Sequence, residues 1–233
     1  MIQVERAVKT FGRKKALDDI SLNIEEGRII GLLGTNGAGK STLLKAIAGL
    51  HRLDRGEIRI DGKSPGLAAR GMLTYLPDID VWYPWMKLGD AMRYMRDIHW
   101  DWDDDKALHL LDYFGLKEHM GIREASRGIR AKMKLLLALS LQAKYLLLDE
   151  PLSGIDPFAR AQIAHAIVDD FLYEGQTILI STHEIAEIEL LLDDIVFIHE
   201  GKLVLEGHVE TLKQIHKMSL MDILKEVNQH ARV

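Results

Sequence analysis

The sequence predicts an α/β fold: an open sheet of buried strands, with an antiparallel β portion and a helical insert. Three observations predict it. Apolar runs at 28–33, 144–150 and 177–181 have the length of fully buried strands, and each is followed by a loop and then a helix signal. Residues 1 to about 33 begin with alternating apolar and polar positions, as in a half-buried antiparallel pair. Residues 79–141 lose strand character and place apolar side chains at helical spacing, as in Leu88/Met92/Met95 and Leu108/Leu111/Phe114.

Taken in order, Ile2, Val4 and Ala7, then Ile20, Leu22 and Ile24, mark strands around a turn at Phe11-Gly12-Arg13. Phe11 has two readings there: a half-buried anchor for the turn, or a flat platform for a nucleotide base. The run 28–33 leads into Gly34-Thr35-Asn36-Gly37-Ala38-Gly39-Lys40-Ser41-Thr42, and 41–48 reads as a helix. Residues 53–63 read as a hairpin closed by an Asp-Gly turn, and 72–76 as a buried strand ended by Pro77-Asp78. In the helical insert lie all the tryptophans, Trp82, Trp85, Trp100 and Trp102, which either pack that insert or line a groove for a partner helix. Asp101 and Asp103-Asp104-Asp105 read as a solvated turn and helix start rather than a metal site. The last third predicts a helix over 157–173, a helix over 184–192, a hairpin over 194–206 around Glu200-Gly201, and one or two short helices to residue 233.

Length and composition bound what such a chain does. Its 233 residues, 47% hydrophobic and 28% charged, suit one globular domain with an inserted subdomain. A net charge of −5 with both signs interspersed argues against a nucleic-acid partner. The chain has no cysteine, which excludes disulfides and thiol chemistry. Residues 1–6 lack the apolar core of a signal peptide, and no run approaches the roughly 18–20 apolar residues that span a bilayer. If the protein serves a membrane process, a partner supplies the membrane part.

The chemistry begins at residues 34–42, which fit G-x-x-x-x-G-K-[ST]. Such a loop turns its backbone N–H groups onto phosphates, and the helix that follows points its positive end the same way. Lys40 then places a charge on the β- and γ-phosphates, and Ser41 offers its hydroxyl to Mg²⁺. Asp149 and Glu150 end a buried strand, at the edge where open α/β sheets hold ligands. Asp149 suits the Mg²⁺ coordination sphere, and Glu150 suits the polarisation of an attacking water. His183 directly follows another buried strand.

This ordered set resembles the ATP-binding subunit of an ABC transporter across nearly the whole chain. The resemblance implies a P-loop NTPase, RecA-like core with an antiparallel β subdomain (1–78 and 142–207), a helical subdomain (79–141) and a C-terminal helical tail (208–233). It makes 34–42 the Walker A motif, including Gly34, Thr35, Asn36, Gly37, Ala38, Gly39, Lys40, Ser41 and Thr42. It makes Asp149 and Glu150 the Walker B pair, Ser153-Gly154-Ile155-Asp156 the D-loop, His183 the switch histidine and Phe11 the aromatic A-loop residue. It implies ATP and Mg²⁺ as cofactors, head-to-tail dimers, and a separate transmembrane permease that holds the subunit on the inner face of the cell membrane. The dimer is either a homodimer or a heterodimer with a paralogous ATPase subunit.

Two positions depart from the family pattern. In place of a Leu-Ser-Gly-Gly-Gln-like signature stands Ala125-Ser126-Arg127-Gly128-Ile129-Arg130; Ser126 and Gly128 keep their offsets before a helix over 131–141. Arg127 and Arg130 either add charge towards a nucleotide or make surface ion pairs. In place of the Q-loop glutamine stands Asp78, an oxygen ligand suited to Mg²⁺ that also brings a third negative charge towards Asp149 and Glu150. Leu76-Pro77-Asp78 and the compact format resemble bacterial ATPases of the small exporter type. Two alternatives remain: a catalytically weak nucleotide-binding regulatory subunit, and a non-transport ABC ATPase.

Overall fold

The structure is a computed structural model that describes residues 1–80, 82–168, 175–183 and 185–230. The first two strands, β1 (Ile2–Phe11) and β2 (Lys14–Ile24), form a hairpin across Gly12-Arg13, with Val4 opposite Leu22 and Ala7 opposite Ile20. Their alternate apolar residues are buried on one face, as the sequence pattern requires. The strand β4 (Arg55–Ile60) joins the other edge of β1, so the small sheet runs β2-β1-β4, all antiparallel.

The larger sheet has the order β5-β6-β7-β3-β8-β9. Its members are β3 (Ile29–Leu33), β5 (Leu73–Leu76), β6 (Tyr145–Asp149), β7 (Thr177–Thr182), β8 (Asp194–His199) and β9 (Lys202–His208). All neighbours are parallel except β8 and β9, which form a hairpin. β6 and β7 are buried along their whole length and β3 at all but its first residue, which explains their unbroken apolar sequences. One apolar core lies between the two sheets and α1 (Lys40–Ile47); a second lies under the helical part and the C-terminal helices.

The helical part contributes α2 (Leu88–Ile98), α3 (Asp104–Tyr113) and α4 (Arg127–Leu139); α5 (Pro157–Val168), α6 (Val209–His216) and α7 (Leu220–His230) follow. α2 buries Leu88, Met92 and Met95, and α3 starts on Asp103, whose carboxylate accepts the Lys106 N–H at 2.9 Å. Trp82 and Trp102 are half-buried against this core, whereas Trp85 and Trp100 are 75% and 85% exposed. The tryptophans thus divide between packing and surface.

Four expectations need correction. Residues 61–63 close only a single bridge from Ile60 to Lys63; β4 finds its partner in distant β1, where Ile58 and Ile60 are buried. Residues 185–191 form two 3-10 turns, Ile185–Glu187 and Glu189–Leu191, because so short a segment must bury Ile188 and then enter β8; Glu184 lies outside the described residues. The signature helix starts four residues before 131, since Ser126 caps it at Arg127. Asp101 is buried rather than solvated, with its backbone carbonyl held by the Gln142 N–H. The helix expected over 157–173 is described as far as Val168, and its remainder lies outside the described residues.

Candidate functional site

The parallel strands bring three sequence-distant ends to one edge. In register, Leu33 lies beside Thr182 and Asp149 beside Ser181, so the phosphate loop, the carboxylate pair and His183 emerge together. The loop 34–39 packs closely on its neighbours. A Cβ at Gly34 would stand 2.2 Å from the Ile198 carbonyl oxygen, and one at Gly39 2.3 Å from that of Ala16. Both residues also have φ values, +150° and +117°, that favour glycine. Gly39 offers no side-chain cap to α1, so the first N–H groups of that helix keep their hydrogen-bonding capacity for an anion.

Lys40 is 5% exposed and donates to the Gly34 carbonyl at 2.8 Å. Its ammonium is 3.2 Å from Glu150 Oε1, and Glu150 Oε2 is 2.9 Å from His183 Nδ1. Glu150 itself has φ +48°, a left-handed backbone held by two contacts to Ser181: its N–H donates to the carbonyl at 3.1 Å and to Oγ at 3.0 Å. That turn swings its side chain away from β6 and into the cavity.

Asp149 is almost completely buried and accepts three hydrogen bonds: from Ser41 Oγ at 2.9 Å, Ser181 Oγ at 2.6 Å and the Tyr75 hydroxyl at 3.0 Å. Burial, followed by the charge of Asp149, holds the Tyr75 phenol protonated far above its ordinary range, so it remains a donor. Residues 36, 37 and 39–42 of the phosphate loop line one cavity of about 540 Å³ with Phe11, Lys14, Asp78, Glu150, Ser153 and His183, whereas Gly34, Thr35 and Ala38 do not line it. Phe11 is 47% exposed at its mouth, its ring edge-on to His51 and approached by Lys9.

Ser126 and Gly128 are not among the residues lining that cavity. Ser126 accepts the Ile129 N–H at 3.3 Å as the cap of α4, and Gly128 packs on α5, where a Cβ would meet Ala159 and the Asp156 carboxylate at 3.2 Å. Asp156 caps α5, accepting the Ala159 N–H at 3.0 Å. Arg130 bonds the Ala125 carbonyl and pairs with Asp80 at 2.9 Å, while Arg127 is exposed.

Sequence reasoning missed Tyr75, Ser181, Lys14 and Lys134. Ser181 stands two residues before His183 and in register with Asp149, so strand pairing would have found it. Lys14 donates to the Gly37 carbonyl from just beyond the Phe11 turn. Lys134 donates to the carbonyls of Pro77, Asp78 and Ile79, which no local pattern signals.

Comparison with known proteins agrees with this geometry. The sequence model of the ABC transporter family matches residues 17–153. An uncharacterized ABC transporter ATP-binding protein of Methanocaldococcus jannaschii is 31% identical over 229 residues, covering 96% of this chain and 82% of that protein. The lantibiotic transport ATP-binding protein SrtF of Streptococcus pyogenes is 30% identical over 231 residues, covering 97% and 99%. A solved ATP-binding subunit of an ABC transporter superposes with a TM-score of 0.86 at 26% identity, covering 98% of this chain and 99% of that one. A dimeric post-hydrolysis ATP-binding cassette with ADP and phosphate has a TM-score of 0.78 at 20% identity, covering 89% and 98%, and shares the fold. The chain therefore belongs to the ABC transporter family, as an ATP-binding, ATP-hydrolysing subunit with the P-loop core and mixed sheet of that class. Among the described residues no helix is long and apolar enough to cross a membrane.

Proposed function

We propose that the cavity takes ATP with its phosphates on residues 34–42 and its base against Phe11, and that Glu150 is the catalytic base. The observation that carries this reading is the line Lys40–Glu150–His183, two contacts of 3.2 and 2.9 Å inside one cavity. On ATP binding Lys40 turns from Glu150 to the β- and γ-phosphates. The freed carboxylate then takes a proton from water as the water oxygen bonds the γ-phosphorus. The bridging P–O bond breaks, its electron pair stays on ADP, and inorganic phosphate leaves. His183 keeps the Glu150 carboxylate oriented through Nδ1.

The oxygen donors Ser41 Oγ and Asp149 Oδ1, 2.9 Å apart, suit Mg²⁺, with Asp78 on the cavity wall as a further oxygen ligand. An Mg²⁺ ion held by these oxygens would supply charge neutralisation to the phosphates. Tyr75 and Ser181 fix the Asp149 carboxylate towards that place.

Ser126 and Gly128 complete the site of a second subunit in a head-to-tail dimer, which their separation from the phosphate loop of their own chain supports. ATP then holds the dimer shut as an anion shared by two helix N-termini, and hydrolysis releases it. The partner is a second copy or a paralogue. A separate permease holds the pair on the inner face of the cell membrane. It docks beside Tyr83 and Trp85, exposed and stacked at 5.6 Å, just after Asp78. Unimpaired transport after replacing those aromatics would sink the docking assignment. The likeness to a lantibiotic transport subunit supports an exporter of the small bacterial type.

The test is ATP turnover beside that of Glu150→Gln, with oligomeric state read in ATP–Mg²⁺. Turnover lost in the variant, with an ATP-bound dimer, is the expected result. No turnover from either protein would favour a regulatory subunit, against which the Glu150–His183 contact argues.

A further inference from the structure

After β5 the described residues between Pro77 and Met86 form no helix or strand, yet they carry Asp78 into the wall of the nucleotide cavity. What holds it comes from α4. The Lys134 ammonium donates to three successive carbonyls, Pro77 at 2.9 Å, Asp78 at 2.9 Å and Ile79 at 3.2 Å, using every N–H it has. One turn earlier on the same face, Arg130 pairs with the Asp80 carboxylate at 2.9 Å. Burial disfavours the Lys134 charge and lowers its pKa, whereas the Asp80 and Asp78 carboxylates support it. This half-buried cation spends its donors on three backbone carbonyls. Together Lys134 and Arg130 tie residues 77–80 to the helix.

That helix begins at Ser126 and bears Gly128. We propose that Lys134 is a positioning residue: by clasping the carbonyls of residues 77–79 it makes the place of the Asp78 carboxylate in the nucleotide cavity follow the position of α4. The inference rests on the proposed roles of Ser126 and Gly128 at a second subunit's nucleotide. It goes beyond them by giving that encounter a route back to the chain's own site. When α4 shifts on meeting the partner's nucleotide, Asp78 shifts relative to Glu150 and Ser41, so each half-site registers the occupancy of the other. The adjoining cavity of about 340 Å³, which shares Asp78, Glu150 and Ser153 with the first and is walled by Arg130 and Lys134, leaves room for that movement.

The experiment is a double-mutant cycle on the full chain, reading kcat and the Mg²⁺ concentration for half-maximal turnover. Asp78→Gln is expected to change one or both by roughly three- to tenfold in the natural background. In the Lys134→Met background the same substitution is expected to change them by less than about twofold, because Asp78 is no longer held at the site. Lys134→Arg, which keeps a charged multiple donor, should restore the Asp78 effect at least in part. Should Lys134→Met not fold, Lys134→Gln goes through the same cycle. An Asp78→Gln effect of equal size in both backgrounds overturns the proposal, and so does its absence from both. Failure of the underlying reading is distinguishable, since it would appear as turnover indifferent to Ser126→Ala and to protein concentration with Lys134 intact.

Discussion

On the proposed reading Glu150 holds the lysine that receives the phosphates, so Glu150→Gln should tighten ATP binding even as it stops turnover. Lys40 and Glu150 are 5% and 14% exposed on their side chains and 3.2 Å apart. At an effective dielectric constant near 20 their attraction is about 5 kcal/mol, an upper bound. Desolvation offsets most of it, leaving about 1–2 kcal/mol that ATP must overcome to claim Lys40. Lys40 is not orphaned by the substitution, because the Gly34 carbonyl at 2.8 Å still accepts from it. The variant should therefore bind ATP roughly 5- to 30-fold more tightly. The assay is calorimetric titration with ATP in a metal chelator, at protein concentrations where both proteins remain monomeric. Equal or weaker affinity in Glu150→Gln would refute the competition.

Tyr75→Phe removes one of the three hydrogen bonds to buried Asp149; the loss should be about 1–2 kcal/mol, a fall in Tm of roughly 2–8 °C by thermal melt. Asp78→Gln removes a negative charge from the cavity wall and should raise turnover, lower the Mg²⁺ requirement, or both; a titration of turnover against Mg²⁺ that leaves both unchanged would reject the charge argument. Asp61 is partly buried, which pushes its carboxyl up, but bonds from Lys144, the terminal amine and Tyr145 prevail and hold it well below the ordinary carboxylate range. Its folded pKa is depressed, so its contribution is complete above about pH 4 and fades as the pH falls further. Asp61→Asn should thus be destabilising near pH 7 by about 1–2 kcal/mol, with the difference from the natural protein shrinking in acid denaturant melts.

The strand-forming runs were legible because burial on both faces leaves an unbroken apolar signal, and the phosphate loop because its glycines answer a steric demand. Phe11, Lys40, Asp149, Glu150 and His183 meet in space because each ends or follows a strand of one sheet or of the sheet packed on it, which chain order alone suggests. What was not legible depended on register or on distant packing. Tyr75 reaches Asp149 only because β5 lies beside β6, and Lys134 reaches Pro77 across 57 residues. β4 was misread as half of a local hairpin because its partner is β1, with Val4 opposite Ile58 and Val8 opposite Arg55, too far back for periodicity to carry information. The helix expected over 184–192 is instead two 3-10 turns within 185–191, because apolar spacing does not reveal that so short a segment must serve as the entrance to a strand.

The tight seat of the phosphate loop has a consequence for how the protein comes into being. Gly39 abuts Ala16 in β2, Gly34 abuts Ile198 in β8, and the Gly201 N–H donates to the Ala38 carbonyl at 2.8 Å. The loop is thus moulded by segments from opposite ends of the chain, and such remote pairings form late. A ribosome-bound nascent chain that has exposed residues 34–42 but not β8 lacks one wall of the mould. Its phosphate loop is without the contact that seats Gly34 on the Ile198 carbonyl. ATP bound at this loop would thus stabilise only a chain in which β2 and β8 are already docked against it.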